Sequence, residues 1–298
     1  TCAPIGYNTF KTKRCKLARN NQRRTKSATK KVSTETPQAT ASSVLDFVTP
    51  TEFVELPSQG RFYTEDHPFH NKETIEIRYM TAKDEDILTN TTLLRKGVAL
   101  EKLLENILSN DGVDPGSLLI GDRNAIIVAA RTTGYGPTYE TLVNCPSCKT
   151  SSKHKFNLTN LKINNATNHT DEGIKEGENG NFIIDLPLTQ VEAEVRLLNG
   201  IDEIELAKSR KQENNPLIEK TYTSQLERII VSLNGETDRR VISKFIELMP
   251  AHDSRHLRTA HASVTPDIDL TQRFNCSECE HEQEMGVPFT VDFFWPNR

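Results

Sequence analysis

Cys145-Pro-Ser-Cys148 and Cys276-Ser-Glu-Cys279 decide how this chain folds. Two residues between paired thiols let a tight turn aim both sulfurs at one point, and two such turns supply the four thiolates of a tetrahedral structural metal site. The pairs are remote in sequence, with 128 positions between Cys148 and Cys276. One structural Zn2+ held by Cys145, Cys148, Cys276 and Cys279 closes a long loop and leaves no open coordination position for a substrate. Metal-free core thiols and a redox pair are the alternative readings of the same spacing.

Outward from the first pair, residues 138–143 and 153–158 read as strands that enter and leave the turn. Around the second pair, 272–275 enters and 283–293 leaves, with Met285, Val287, Phe289, Val291 and Phe293 alternating against polar or small neighbours. Strand, cysteine turn, strand is half of a zinc ribbon. Upstream, strands are expected at 53–56 and 74–79, followed by a helix that Thr81 opens and that runs to 94, its hydroxyl accepting from an early backbone N–H. Further helices are expected at 100–108 and 122–132, the latter stopped by Gly134-Tyr-Gly136-Pro137. Between the ribbon halves, 162–180 reads as a polar loop. Strands at 182–186 and 191–198 and helices at 201–211, 216–233, 238–249 and 254–263 follow it.

The expected fold class is α+β: a zinc-ribbon β element formed by distant chain segments, packed with an N-terminal mixed α/β region and a mainly helical insertion, behind a disordered N-terminal tail. The expected boundaries are 1–45 for the tail, 46–160 for the α/β region with the first half of the ribbon, 161–268 for an inserted β-hairpin plus helical subdomain, and 269–298 for the second half.

Charge divides the chain sharply. Residues 1–31 carry ten Lys or Arg and no acid, which leaves 27 basic and 41 acidic residues in the rest, a formal balance of −14. The overall value of −4 therefore hides a basic tail on an acidic body. The tail has too few apolar side chains to offset ordering entropy; it reads as a solvated extension or a misjudged translation start, with electrostatic contact to nucleic acid or another acidic partner as the functional alternative. No apolar run approaches the length of a membrane span, and no secretory core is present near the start. Cysteines in metal spacing suit a reducing compartment, so a cytosolic product is expected. Cys2 and Cys15 fall in the tail and are poor ligands.

Catalytic patterns are absent. His281-Glu-Gln-Glu-Met285 lacks the second His of a zincin helix, and Gly134-Tyr-Gly136 lacks a dinucleotide-loop context. Asp84-Glu85-Asp86 is explained by the helix dipole and solvation, and Gly121-Asp-Arg-Asn124 by capping or an internal ion pair. His154 and His281 are expected at the surface or behind the ligands, since four thiolates already satisfy the metal. In Phe293-Phe-Trp-Pro296, adjacent aromatics on a strand face opposite ways, which offers one of them to a partner. No catalytic and no cofactor-binding residues other than the metal ligands emerge.

Leu56-Pro-Ser-Gln-Gly-Arg-Phe-Tyr63, Ile77-Arg-Tyr-Met-Thr-Ala-Lys-Asp-Glu-Asp-Ile87, Gly121-Asp-Arg-Asn-Ala-Ile-Ile-Val-Ala-Ala-Arg131, both cysteine pairs and Val287-Pro-Phe-Thr-Val-Asp-Phe-Phe-Trp-Pro296 recur in order. Over about residues 50–298 the chain resembles the baseplate hub or hub-assembly proteins of T-even-type contractile-tailed phages. The resemblance implies a non-enzymatic virion or virion-assembly protein, made in the host bacterial cytoplasm and acting in construction of the central hub of the tail baseplate, either as a virion component or during assembly. Its implied partners are other baseplate and hub proteins, with no membrane and no small-molecule substrate. The competing reading is a zinc-ribbon nucleic-acid-binding protein, for which only the basic tail speaks; Glu280, Glu282 and Glu284 beside the second pair oppose it.

Overall fold

The computed structural model describes residues 49–108, 113–159, 161–166, 174–212, 221–288 and 293–294. The expected tail, residues 1–45, lies outside the described residues. In chain order the strands and helices begin with β1 (Thr51–Glu55), β2 (Thr74–Arg78), α1 (Ala82–Thr89), α2 (Thr91–Lys96), α3 (Ala99–Ile107), α4 (Ile120–Tyr135), β3 (Thr138–Asn144), β4 (Ser151–Asn157) and β5 (Lys162–Asn164). They continue with β6 (Lys175–Glu176), β7 (Phe182–Asp185), β8 (Glu192–Val195), α5 (Gly200–Gln212), α6 (Thr221–Ile229), β9 (Ile230–Leu233), α7 (Arg239–Leu248), α8 (Ala251–Val264), β10 (Asp267–Asp269), β11 (Thr271–Asn275) and β12 (Glu282–Gly286). The fold is mixed α+β, with eight α-helices and small antiparallel sheets among the described residues. The sheets pair β1 with β2, β3 with β4, β5 with β10 and β11 with β12, and a fifth, four-stranded sheet runs in the order β6-β7-β8-β9.

The same unit occurs twice. In each copy a short strand ends in an acidic residue followed by Leu-Pro: Glu55-Leu56-Pro57 after β1 and Asp185-Leu186-Pro187 after β7. The partner strands return in equivalent register, with Val54 opposite Ile75 and Ile184 opposite Ala193. The Leu N–H closes each hairpin, on Glu73 O at 2.8 Å and on Val191 O at 2.9 Å. Beyond β2, Arg78 grips Asp84 with two hydrogen bonds of 2.7 and 2.9 Å; beyond β8, Arg196 grips Asp202 through the same atoms at 2.8 and 2.6 Å. The carboxylates also accept from the backbone N–H of Thr81 and Asn199 at the helix starts.

Helices α4 and α8 complete the parallel. Leu119 and Pro250, one position before them, share φ/ψ values of −59°/144° and −58°/142°. Three residues later Asp122 accepts from the Ser58 N–H and Oγ, and Asp253 accepts from the Leu188 and Thr189 N–H groups and the Thr189 Oγ1. Each carboxylate thus pins the loop that follows a Leu-Pro step. Each pinning helix then leads to one Cys-x-x-Cys hairpin, so these clasps fix where the thiols point.

The apolar faces of both units merge into a continuous core, including Leu56, Ile77, Leu103, Ile126, Phe156, Ile184, Val195, Leu257 and Phe274. Gly121 stands where α4 meets the segment before β10, and a Cβ on it would fall 2.0 Å from Pro266 O. Only a residue without a side chain permits that approach.

Several elements differ from the sequence expectation for identifiable reasons. The helix expected from 81 to 94 is broken at Asn90, whose side chain accepts from the Thr92 and Leu93 N–H groups and starts α2 afresh. Thr81 and Asp84 form a capping box at the start of α1, and the Thr81 hydroxyl also donates to Asp84. The helix expected over 216–233 ends at Ile229, because Ile230–Leu233 takes the edge of β8 as β9. Part of the 162–180 loop is β5, β6 and a 3-10 turn. The long strand from 283 stops at Gly286, and residues 289–292 lie outside the described residues. Phe293 and Phe294 are both buried, with ring centroids 5.4 Å apart at 87°, so neither is offered to a partner. Not being on a strand, they are released from facing opposite ways.

Asp122→Ala is expected to lower unfolding stability by about 3 kcal/mol, since it strands buried donors on Ser58 and Tyr63; an unchanged urea midpoint refutes the clasp. Asp84 supplies a pH signature. Burial acts to raise its carboxyl, but Arg78 and the Thr81 donors hold it down at about 2. A depressed carboxyl contributes stability above its unfolded value and loses that contribution as pH falls toward the folded value. The stability gap between wild type and Asp84→Asn should therefore be full at neutral pH and shrink below about pH 4; a gap independent of pH rules this out.

Candidate metal centre

The turns at the tips of the two hairpins have the same construction. At the first, the Lys149 N–H donates to Cys145 O at 2.9 Å and the Cys145 N–H to Thr150 O at 2.9 Å. At the second, the Glu280 N–H donates to Cys276 O and the Cys276 N–H to His281 O, both at 3.0 Å. Lys149 and Glu280 occupy the left-handed region, with φ of 63° and 55°. That conformation turns the chain back while leaving both sulfurs of the pair on one side. Cys145 and Cys276 are buried, Cys148 and Cys279 exposed.

All four sulfurs lie within 4.8 Å of one another. Cys145 Sγ stands 3.7 Å from Cys279 Sγ, and Cys148 Sγ stands 3.7 Å from Cys276 Sγ. Exchanging the two repeats converts either sulfur pair into the other at the same separation, as a local twofold relation requires. A tetrahedron with metal–sulfur bonds of ~2.3 Å has sulfur separations of about 3.8 Å. The cysteines are free of disulfides. The donor set therefore fits a tetrathiolate metal ion in type, number and spacing.

Electrostatics make the same demand. Hydrogen bonds from the Thr150 hydroxyl and backbone hold the Cys148 thiol down at about 6. At the equivalent Cys279 the His281 N–H also acts to lower the thiol, yet desolvation and the neighbouring thiols push it up to about 11. One thiolate forms with help from its neighbours and makes the next harder to form. A divalent cation among the sulfurs removes that mutual penalty.

The two hairpins are held together by more than the sulfurs. His154 lies on β4 with its ring 4.6 Å from Phe156 and 5.2 Å from Phe274 of the other hairpin, both edge to face. Burial lowers its pKa, and the ring is outside the four-residue cluster, as is His281. The Gln272 side chain accepts from Asn157 N–H and donates to Asn157 O. The repeats also trade the segments that follow their hairpins. β5, after the first hairpin, pairs with β10, before the second. Phe293, after the second, is bound by Arg131 of α4, whose guanidinium donates to Phe293 O at 2.7 Å, Gly136 O at 2.8 Å and Thr138 O at 3.1 Å.

The remaining sequence candidates are structural. Asp84 is buried in its Arg78 ion pair, and Glu85 accepts from the Tyr135 hydroxyl at 2.7 Å. Within Gly121–Asn124, Asp122 forms the clasp on Ser58 and also accepts from the Tyr63 hydroxyl at 2.7 Å. Burial pushes its carboxyl up against donors that act to hold it down. Arg123 spans the repeats, bonding Glu101 of α3 and Glu203 of α5, and Asn124 donates to Asp267. The sequence reading missed the clasp by Asp253 and the anchoring by Arg131; the doubled acidic-Leu-Pro and Arg-x5-Asp pattern is the signal that finds the former.

Among the described residues no helix is long and apolar enough to cross a membrane. No match was found among the curated proteins or among the solved structures. The sequence profile of the T4 bacteriophage base plate protein family matches residues 49–295, which takes in both repeats and all four clustered cysteines. The chain belongs to that family.

Proposed function

We propose that this protein is a non-enzymatic structural or assembly component of the central hub of a contractile-tail baseplate, held together by one structural Zn2+ on Cys145, Cys148, Cys276 and Cys279. The observation that carries the reading is the convergence of four sulfurs, from hairpins 128 residues apart, in a chain of the base plate family. Soft thiolates at tetrahedral spacing select Zn2+ over hard cations such as Mg2+ or Ca2+. Bound there, the ion supplies charge and a cross-link. With all four positions taken by protein sulfur, the site is built for holding the two hairpins. In this reading the hairpins form the halves of a zinc ribbon, and the partners are other baseplate proteins met in the host cytoplasm and retained in the virion.

Metal analysis of the purified protein should give one zinc per chain. Cys148→Ser should lose that zinc and lower the melting temperature by about 10 °C or more, because a ligand lost from a structural site removes folding free energy. A variant with wild-type metal content and melting defeats the zinc assignment. For the hub role, tagged protein recovered from infected cells should bring down identified baseplate proteins. Recovery of nucleic acid without tail proteins, through binding that survives removal of residues 1–43, favours the nucleic-acid reading.

A further inference from the structure

The repeated hairpins share a backbone but carry opposite charge. Lys149 follows the first cysteine pair, with Lys153 and Lys155 on one face of β4; Glu280 follows the second pair, with Glu282 and Glu284 on one face of β12. Lys149 and Glu280 are structurally equivalent residues, each following the second cysteine of its pair in a left-handed conformation. Lys153 and Glu284 are likewise equivalent. Across each hairpin one opposite charge shares the face. Glu140 pairs with Lys153 at 3.4 Å and Lys155 at 3.5 Å, and Arg273 pairs with Glu282. The first face therefore carries a net +2 and the second a net −2.

Both faces are open. Lys153 and Lys155 side chains are 75% and 71% exposed, Glu280, Glu282 and Glu284 are exposed, and among the described residues no ion pair joins one face to the other. Leu142, opposite Lys153 on the first face, is a large apolar side chain left 66% exposed. Acidic side chains beside a site that gathers four thiolates raise the local negative charge, which Arg273 and Asn275 offset at Glu282.

We infer that these faces are complementary docking surfaces through which copies of this chain associate head to tail, the lysine face of one copy on the glutamate face of the next. The occupant is a second copy because the two faces are built from one repeated element. Their charges are complementary in sign, three lysines on one hairpin against three glutamates on a hairpin of the same construction. Each face sits on its own hairpin and keeps a surplus of charge beyond its internal pairs, which a neighbouring copy satisfies. Such a heterologous contact propagates, and it closes into a ring when the rotation allows. It rests on the hairpin geometry and holds whichever metal fills the site.

The test is sedimentation of the full-length protein, with metal content and melting recorded for each variant. Wild type should self-associate at low salt, and the dissociation constant should rise at least about tenfold between about 50 and 500 mM salt. Lys149→Glu/Lys153→Glu/Lys155→Glu and Glu280→Lys/Glu282→Lys/Glu284→Lys should each be monomeric alone and associate when mixed, and both sets in one chain should restore self-association. If a triple variant melts early, Lys153→Gln and Glu284→Gln should each still weaken association. A wild type that stays monomeric, association indifferent to salt or to these charges, or association lost on deleting residues 1–43 overturns the inference. Zinc-free but self-associating protein overturns only the zinc assignment.

Discussion

Two hairpins 128 residues apart in sequence reach one point in space, and the main tertiary contacts of this fold serve that meeting. Bringing residues 145 and 276 together costs loop-closure entropy that no single surface contact offsets. The cost is distributed over a ladder of contacts: the clasps at Asp122 and Asp253, the crossing of β5 onto β10, the Arg131 anchor on Phe293 O, and lastly the sulfurs. Each holds a hairpin at the level its counterpart needs. The thiol cluster is the final register mark of a structure already aligned by carboxylates.

The internal repeat explains why so few residues do this. One solution, a helix that pins a Leu-Pro loop and projects a cysteine hairpin, is used twice about a local twofold. Differences between the copies mark where their surroundings differ. The second unit extends its hairpin into a four-stranded sheet through β6 and β9, whereas the first keeps a two-stranded sheet and adds α1 to α3 beside it. Helix α4 is largely buried and apolar, while its counterpart α8 carries His252, Arg255, His256 and Arg258. Buried Arg131 answers three carbonyl oxygens on α4, and no comparable cation is needed where β5 and β10 satisfy one another as strands.

Much of this was legible before any coordinates. Spacing alone brought the four cysteines together, because a Cys-x-x-Cys turn has few other uses in a chain with this composition. The strands flanking both turns followed from alternation, and most helices from apolar periodicity. What was missed lies where local pattern and tertiary partner disagree. Ile229, Ile230 and Leu233 satisfy a helical period, yet the open edge of β8 claims Ile230–Leu233 as a strand. Phe293 and Phe294 read as a strand end until Arg131 and the core draw both inward. The repeat is hidden because Arg78 follows Pro57 by 21 positions and Arg196 follows Pro187 by only nine, so the shared residues fall out of step. Asp122 read as part of a helix-capping segment, and Asp253 fell just before the helix expected at 254–263, so neither pointed to a clasp.

The exchange of trailing segments sets a timetable for synthesis. The anchor on α4 awaits Phe293, and β5 awaits β10, so the first unit emerging from the ribosome has nothing to finish against until its sibling is translated. Closure is deferred until residues 267–293 have been translated, and a nascent chain cut short before them is deprived of both interlocks at once.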